Sequence, residues 1–172
     1  MPTTLAAGAA FPAMTLPRAG GGSVRLGGER EGWQVIVVYR GRHCPICNRF
    51  LHKLEELRPR FATLNAEIVA VSADTEAQAA SALKDWELSL DIAYGLTAEQ
   101  MRAWGLYVSE PLENDGVGHD FPEPALFVLD PKGRAHIIEV SNAPFVRPDL
   151  DGIANGLGFI QAKAYPIRGT RG

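Results

Sequence analysis

Gln34-Val35-Ile36-Val37-Val38-Tyr39-Arg40-Gly41-Arg42-His43-Cys44-Pro45-Ile46-Cys47 is the stretch on which the fold turns. Its opening residues through Tyr39 form a continuous run rich in β-branched side chains, the pattern of a central strand buried on both faces. Gly41 breaks the run. Pro45 then suits the first turn of a helix, where its missing N–H costs nothing. Beyond it Cys47, Phe50, Leu51, Leu54, Leu57 and Phe61 recur at helical spacing and make one apolar face. Pro59 bends or ends that first helix.

The alternation continues outward from this unit. Glu67–Ser72 reads as a second strand, and Asp74 or Thr75 can cap a helix running to about Trp86. Leu90–Gly95 is a short extended piece, Thr97–Trp104 a short helix, and residues 108–122 a loop by their Pro, Gly, Asp and Asn content. Ala125–Leu129 and Arg134–Val140 are strands joined by the turn Asp130-Pro131-Lys132-Gly133, and a last helix runs from Asp149 to about Lys163. Upstream, Gly20-Gly21-Gly22 separates Met14–Pro17 from Ser23–Leu26, a small hairpin. Right-handed crossovers make the first two main strands parallel, and the terminal hairpin adds antiparallel ones. The expectation is an α/β protein: a central mixed sheet, helices on both faces and a short N-terminal hairpin, in the thioredoxin-like plan. One domain is expected over 1–172, with flexible ends at 1–10 and 165–172 and a loose lead-in through residue 14.

A net charge of −3 gives no global basic field for nucleic acid. The N-terminus lacks a basic region followed by an apolar core, and no stretch reads as a membrane span, so a cytoplasmic protein is expected. The only cysteines, Cys44 and Cys47, stand three positions apart. A secreted disulfide scaffold needs more of them, so reactivity or metal binding explains the pair better. A thiolate is the reactive form. The helix N-terminus favours it, as do Arg40, Arg42, His43 and Arg49 nearby, with no acidic residue from Gly32 to Leu54. At i and i+3 of a first turn the sulfurs can form a disulfide, Cys44 being the more exposed and Cys47 the more buried. Zinc would need two further ligands, and His43, His52, His119 and His136 are not at finger-like spacing.

Tyr39-Arg40-Gly41-Arg42-His43-Cys44-Pro45-Ile46-Cys47, Val69-Ala70-Val71-Ser72-Ala73-Asp74 and Pro124-Ala125-Leu126-Phe127-Val128-Leu129-Asp130 together resemble the alkyl hydroperoxide reductase/thiol-specific antioxidant (redoxin) superfamily. Within it the chain is similar to peroxiredoxin-like proteins carrying Cys-Pro-x-Cys, over roughly residues 10–165. The resemblance implies a thiol-dependent antioxidant oxidoreductase that reduces peroxides or disulfides through a reversible Cys44–Cys47 disulfide. It implies no cofactor, an external thiol donor of thioredoxin, glutaredoxin or glutathione type, and a possible homodimer. The family pattern Pro-x-x-x-Thr-x-x-Cys puts Cys47 at the peroxide-reacting position, but Arg40 then stands for the Pro and Cys44 for the Thr. Pro124 stands where peroxiredoxins carry an Arg and thioredoxins a cis-Pro, so it is expected to be cis. A thioredoxin-like reading makes Cys44 the attacking thiolate instead.

Catalytic roles are therefore expected of Cys44, Cys47 and Pro124, and substrate-binding roles of Arg40, His43 and Arg147. Arg147 enters by topology: with Pro124 beside the dithiol, the returning strand must bring Ser141, Asn142, Pro144, Phe145 and Arg147 back to the same end. His119 and Asp120 also border that end. The rivals are a thioredoxin-like reductase without peroxidase activity and a binding module whose dithiol is vestigial or holds metal.

Overall fold

Strand β3 (Trp33–Val38) holds the middle of a five-stranded sheet in the computed structural model, which describes residues 4–171. The β-branched run predicts that place, because both of its faces are covered. Val35, Val37 and Tyr39 face one core with Cys44, Cys47, Leu51 and Phe61, whereas Ile36 and Val38 face another with Phe11, Trp104 and Phe127. Side chains that alternate along a strand produce this division.

Parallel to β3 lies β4 (Ala66–Val71), followed by the edge strand β5 (Ile92–Ala93). On the other side β8 (Ala125–Leu129) runs antiparallel with Val38 opposite Ala125, and β9 (Ala135–Val140) completes the order β5-β4-β3-β8-β9. Helices α1 (Pro45–Glu56), α2 (Arg58–Thr63), α3 (Glu76–Asp85) and α5 (Leu150–Lys163) supply the core on the cysteine face. The opposite face is covered by α4 (Ala98–Ala103) and the hairpin β1 (Met14–Pro17)–β2 (Ser23–Leu26). Leu57 caps α1, and Pro59 opens α2 rather than bending one long helix. Thr75 caps α3 through a reciprocal capping box with Gln78. Buried Gln34 ties the hairpin to the sheet, accepting from Gly27 N–H at 3.0 Å and donating to Arg25 O at 3.0 Å.

Three expectations are corrected. The lead-in is pinned to the sheet: Gly8 N–H donates to Ala135 O, Ala135 N–H to Ala9 O and Phe11 N–H to Gly133 O. Residues 1–3 and 172 of the expected flexible ends lie outside the described residues, and Tyr165–Arg171 carries no regular structure. Residues 108–122 contain a ribbon of β6 (Val108–Ser109) and β7 (Phe121–Pro122). Two-residue strands have no period to read, so composition hid them. Finally, no peptide bond among the described residues is cis, so Pro124 is trans. The chain runs extended from β7 into β8, held on both sides by Glu123 N–H on Tyr107 O at 2.8 Å and Ser141 N–H on Pro124 O at 2.9 Å. Straight passage through an X-Pro bond uses the trans form that such bonds ordinarily prefer.

Candidate active site

Gly41, with φ of 138°, turns the chain out of β3, and Cys44 becomes the N-cap of α1. The Cys44 Sγ accepts from Cys47 N–H at 3.3 Å, so the cap is itself a sulfur. Both thiols are free. Cys44, expected to be the more exposed of the two, is 1% accessible and Cys47 0%, so both thiols are covered. The reason is coverage from across the sheet. Arg147 reaches over the helix start, its Nη2 donating to Cys47 Sγ at 3.1 Å and to Cys44 Sγ at 3.7 Å. Its guanidinium also lies 5.3 Å from the centre of the Phe50 ring, one turn along α1.

The neighbouring cations are engaged differently. Arg40 Nε donates to Glu123 Oε2 at 2.9 Å, its guanidinium stands 5.0 Å from the Phe121 ring centre and helps hold the Cys44 thiol down, and its backbone N–H faces Cys47 Sγ at 3.4 Å. Arg42 pairs with Asp85 at 2.5 Å, and Arg49 is exposed. His43 packs its ring edgewise on Phe121, centroids 4.6 Å apart, with both ring nitrogens buried and unpartnered. Burial first, and Arg40 second, lower its basicity.

These surroundings split the two thiols. Cys44 is drawn below the ordinary thiol range, chiefly by a hydrogen bond from the Cys47 thiol, which together with Cys47 N–H, Arg40 and Arg147 outweighs burial. Cys47 is pushed up, first by burial and then by the Cys44 sulfur it faces. The pair thus holds one thiolate and one thiol. In that state one sulfur is ready to attack an oxidant while the other keeps its proton.

Two acids missed in the sequence belong to the site. Glu123, buried, accepts from Arg40 and from Ser109 Oγ at 2.8 Å. An acid lodged in the apolar run from Phe121 to Leu129 was its available signal. Asp74 is 2% accessible and accepts from Arg42 N–H at 2.9 Å, and burial raises its carboxyl to about 6. A Cβ at position 41 would stand 2.6 Å from Asp74 Oδ1 and 3.1 Å from His43 Nδ1, so glycine is required there. Arg42, His43, Asp74, Gln78 and Asp115 line a polar cavity of about 250 Å³ beside the dithiol. His119 is not among the groups on the sulfurs: its ring nitrogens meet Asp120 O and Gln78 Oε1, both at 2.8 Å. Pro124, buried, opens β8, whose Ala125 stands opposite Val38. A roomier cavity of about 400 Å³, between Trp33, Lys132, His136 and Tyr165, adjoins the far end of β8. It holds no thiol. Among the described residues no group of three or more His, Cys, Asp or Glu side chains could hold a metal ion, and no helix is long and apolar enough to cross a membrane.

Comparison with known proteins agrees with this geometry. The model of the AhpC/TSA family matches residues 7–136. A probable 1-Cys peroxiredoxin of Syntrichia ruralis is 26% identical over 110 residues, covering 61% of this chain and 50% of its own length. The chain thus spans half the length of that curated relative. The crystal structure of a peroxiredoxin-like protein from Aquifex aeolicus superposes with a TM-score of 0.76 at 16% identity, over 92% of this chain and 89% of that one. A cysteine-to-serine mutant of the peroxiredoxin 6 of Arenicola marina does so with a TM-score of 0.77 at 18% identity, over 93% and 75%. These likenesses show the thioredoxin-like α/β fold.

Proposed function

Since the chain belongs to the AhpC/TSA family, we propose that it is a thiol-based oxidoreductase of peroxiredoxin-like type, working through reversible disulfide formation between Cys44 and Cys47. The observation that carries this reading is Arg147 Nη2 lying against both sulfurs, 3.1 Å from one and 3.7 Å from the other, at a helix N-terminus. A guanidinium so placed favours the anionic sulfur, and it is also positioned for charge that develops on a leaving oxygen.

The Cys44 thiolate attacks the terminal oxygen of a hydroperoxide. The S–O bond forms, the O–O bond breaks, and the leaving alkoxide takes a proton from water. Cys47 then attacks the Cys44 sulfenic acid, its proton leaves with the hydroxyl as water, and the disulfide closes. Two molecules of an external thiol return the two electrons and two protons and become a disulfide themselves. Arg40 holds its backbone N–H toward Cys47, while His43 and Pro124 shape the approach. A second reading exchanges the sulfurs, with peroxide oxidising Cys47. The shorter Arg147 contact and the Arg40 N–H on that sulfur favour it.

Single-cysteine variants decide between them. Hydrogen peroxide should consume both wild-type thiols, and Cys47→Ser should accumulate a dimedone-reactive sulfenic acid on Cys44. Trapping only on Cys47, in Cys44→Ser, would establish the exchanged assignment. Thiols inert to peroxide in the wild type would sink the peroxidase, and turnover of a small disulfide by that same protein would make it a reductase.

A further inference from the structure

The larger cavity lies at the end of the sheet away from the cysteines. Strand β3 starts there with Trp33 and runs out at Val38 toward Cys44, a length of about 17 Å. At about 400 Å³ the cavity falls within the roughly 300–1,000 Å³ of small-molecule sites. One wall is built by the chain that follows α5. Ala164, in the left-handed region with φ of 47°, ends that helix, and Tyr165 N–H returns to Ile160 O at 3.0 Å. Tyr165, Pro166 and Ile167 then line the same space as Trp33 and His136.

The lining defines a ligand in two ways. Its walls offer flat rings held in place by their neighbours. The Trp33 indole meets the His136 imidazole with centroids 5.4 Å apart, and Tyr165 packs on Phe159 at 5.5 Å. Such rings give a planar ligand a large apolar contact. The charges, by contrast, do not balance. Asp130 is the one carboxylate among the lining residues, and its oxygens are already taken. Oδ1 accepts from Lys132 N–H and Arg134 N–H, both at 3.0 Å, and Oδ2 accepts from Arg134 Nε at 2.8 Å and Nη2 at 2.7 Å. Arg134 is thereby neutralised. The Lys132 ammonium is exposed and takes part in no ion pair among the described residues. An anion in the cavity would supply its counter-charge, whereas a cation would be repelled.

We propose that this cavity is a binding site for a small planar aromatic carboxylate, its ring against Trp33 and Tyr165 and its carboxylate on the Lys132 ammonium. The His136 ring N–H is a second donor. The site shares no residue with the dithiol, so it stands or falls apart from the peroxidase reading.

Naphthoate is the probe, with neutral naphthamide and cationic naphthylmethylammonium as its matched controls. Each is titrated into the isotope-labelled full chain while the indole N–H resonances of the three tryptophans are followed. The Trp33 signal is identified by its loss in Trp33→Phe. Naphthoate should shift that signal saturably and leave those of Trp86 and Trp104 in place. Lys132→Met should weaken binding about tenfold, the loss of one charge-assisted hydrogen bond, and Lys132→Arg should keep most of the affinity. Lys84→Met, the same change of charge at an exposed position of α3, should leave it as in the wild type. Naphthamide or naphthylmethylammonium binding as tightly as naphthoate would overturn the proposal, because the cavity would then have no preference for an anion. Equal losses in Lys132→Met and Lys84→Met would overturn it too, tracing the affinity to net charge. So would a Trp33 signal that stays in place at millimolar naphthoate.

Discussion

Asp74 has one carboxylate oxygen on Arg42 N–H and the other pressed beneath Gly41, at 2% accessibility. Burial holds its carboxyl at about 6, against an ordinary 3.8. A folded-state value above the unfolded one means that the folded protein binds the extra proton. Its contribution to stability is therefore complete below the ordinary value and is lost as pH rises through about 6. Asp74→Asn keeps the acceptor and removes the titration. Relative to that variant, the wild type should lose on the order of 2–3 kcal/mol between about pH 4 and about pH 7. Urea unfolding of both reduced proteins across that range measures it. Parallel profiles would mean that Asp74 ionises inside the fold at no cost.

At the scale of elements, the junction of β7 and β8 positions the end of β3. Glu123 reaches back from it to Arg40, whose own N–H lies on the Cys47 sulfur. The ion pair is largely covered, with side-chain accessibilities of 5% for Glu123 and 20% for Arg40. Removing one partner of such a pair leaves the other charge uncompensated and costs about 3–5 kcal/mol. Glu123→Ala should be destabilised by that order in urea titrations, whereas Glu123→Gln, which can still accept from Arg40 and Ser109, should lose less. Similar losses in both would show that the charge alone holds the pair and that the accepting oxygen adds nothing. None of this was legible in a segment whose composition reads as loop. The long elements were, because their signals are periodic: the apolar run of β3, the helical spacing from Cys47 to Phe61, and caps at Thr75 and Asp149. Gly41 could be read as a break, but not as the place where Asp74 comes to rest, since that contact spans residues far apart in the chain.

Over the whole molecule, the topology brings Arg147 to the dithiol while local charges are drawn elsewhere. Arg40, Arg42 and Arg49 look like the source of thiolate stability in the sequence, yet Arg42 spends its side chain on Asp85, Arg49 is exposed, and Arg40 divides its own between Glu123 and Cys44. Strand order alone placed Arg147 at the right end, and only the folded chain sets its guanidinium on both sulfurs. This makes the redox state a determinant of global stability. The Cys44 thiolate titrates below its unfolded value, so the stability it adds to the reduced fold grows as pH rises toward the ordinary thiol range, about 8.5, beyond which the raised Cys47 thiol offsets it. It is lost as pH falls through the lower folded-state value. The disulfide form has no such proton to release, and its four-residue loop constrains the unfolded chain little. The reduced protein should therefore melt above the oxidised one at about pH 8, and the gap should shrink steadily on acidification. Arg147→Met should narrow the gap at the high-pH end, because the anion loses its partner there. Scanning calorimetry of both redox forms, in wild type and variant, provides the comparison. A gap that widens toward acid would mean that the resting pair carries no thiolate, and the charge on Arg147 would then need another purpose.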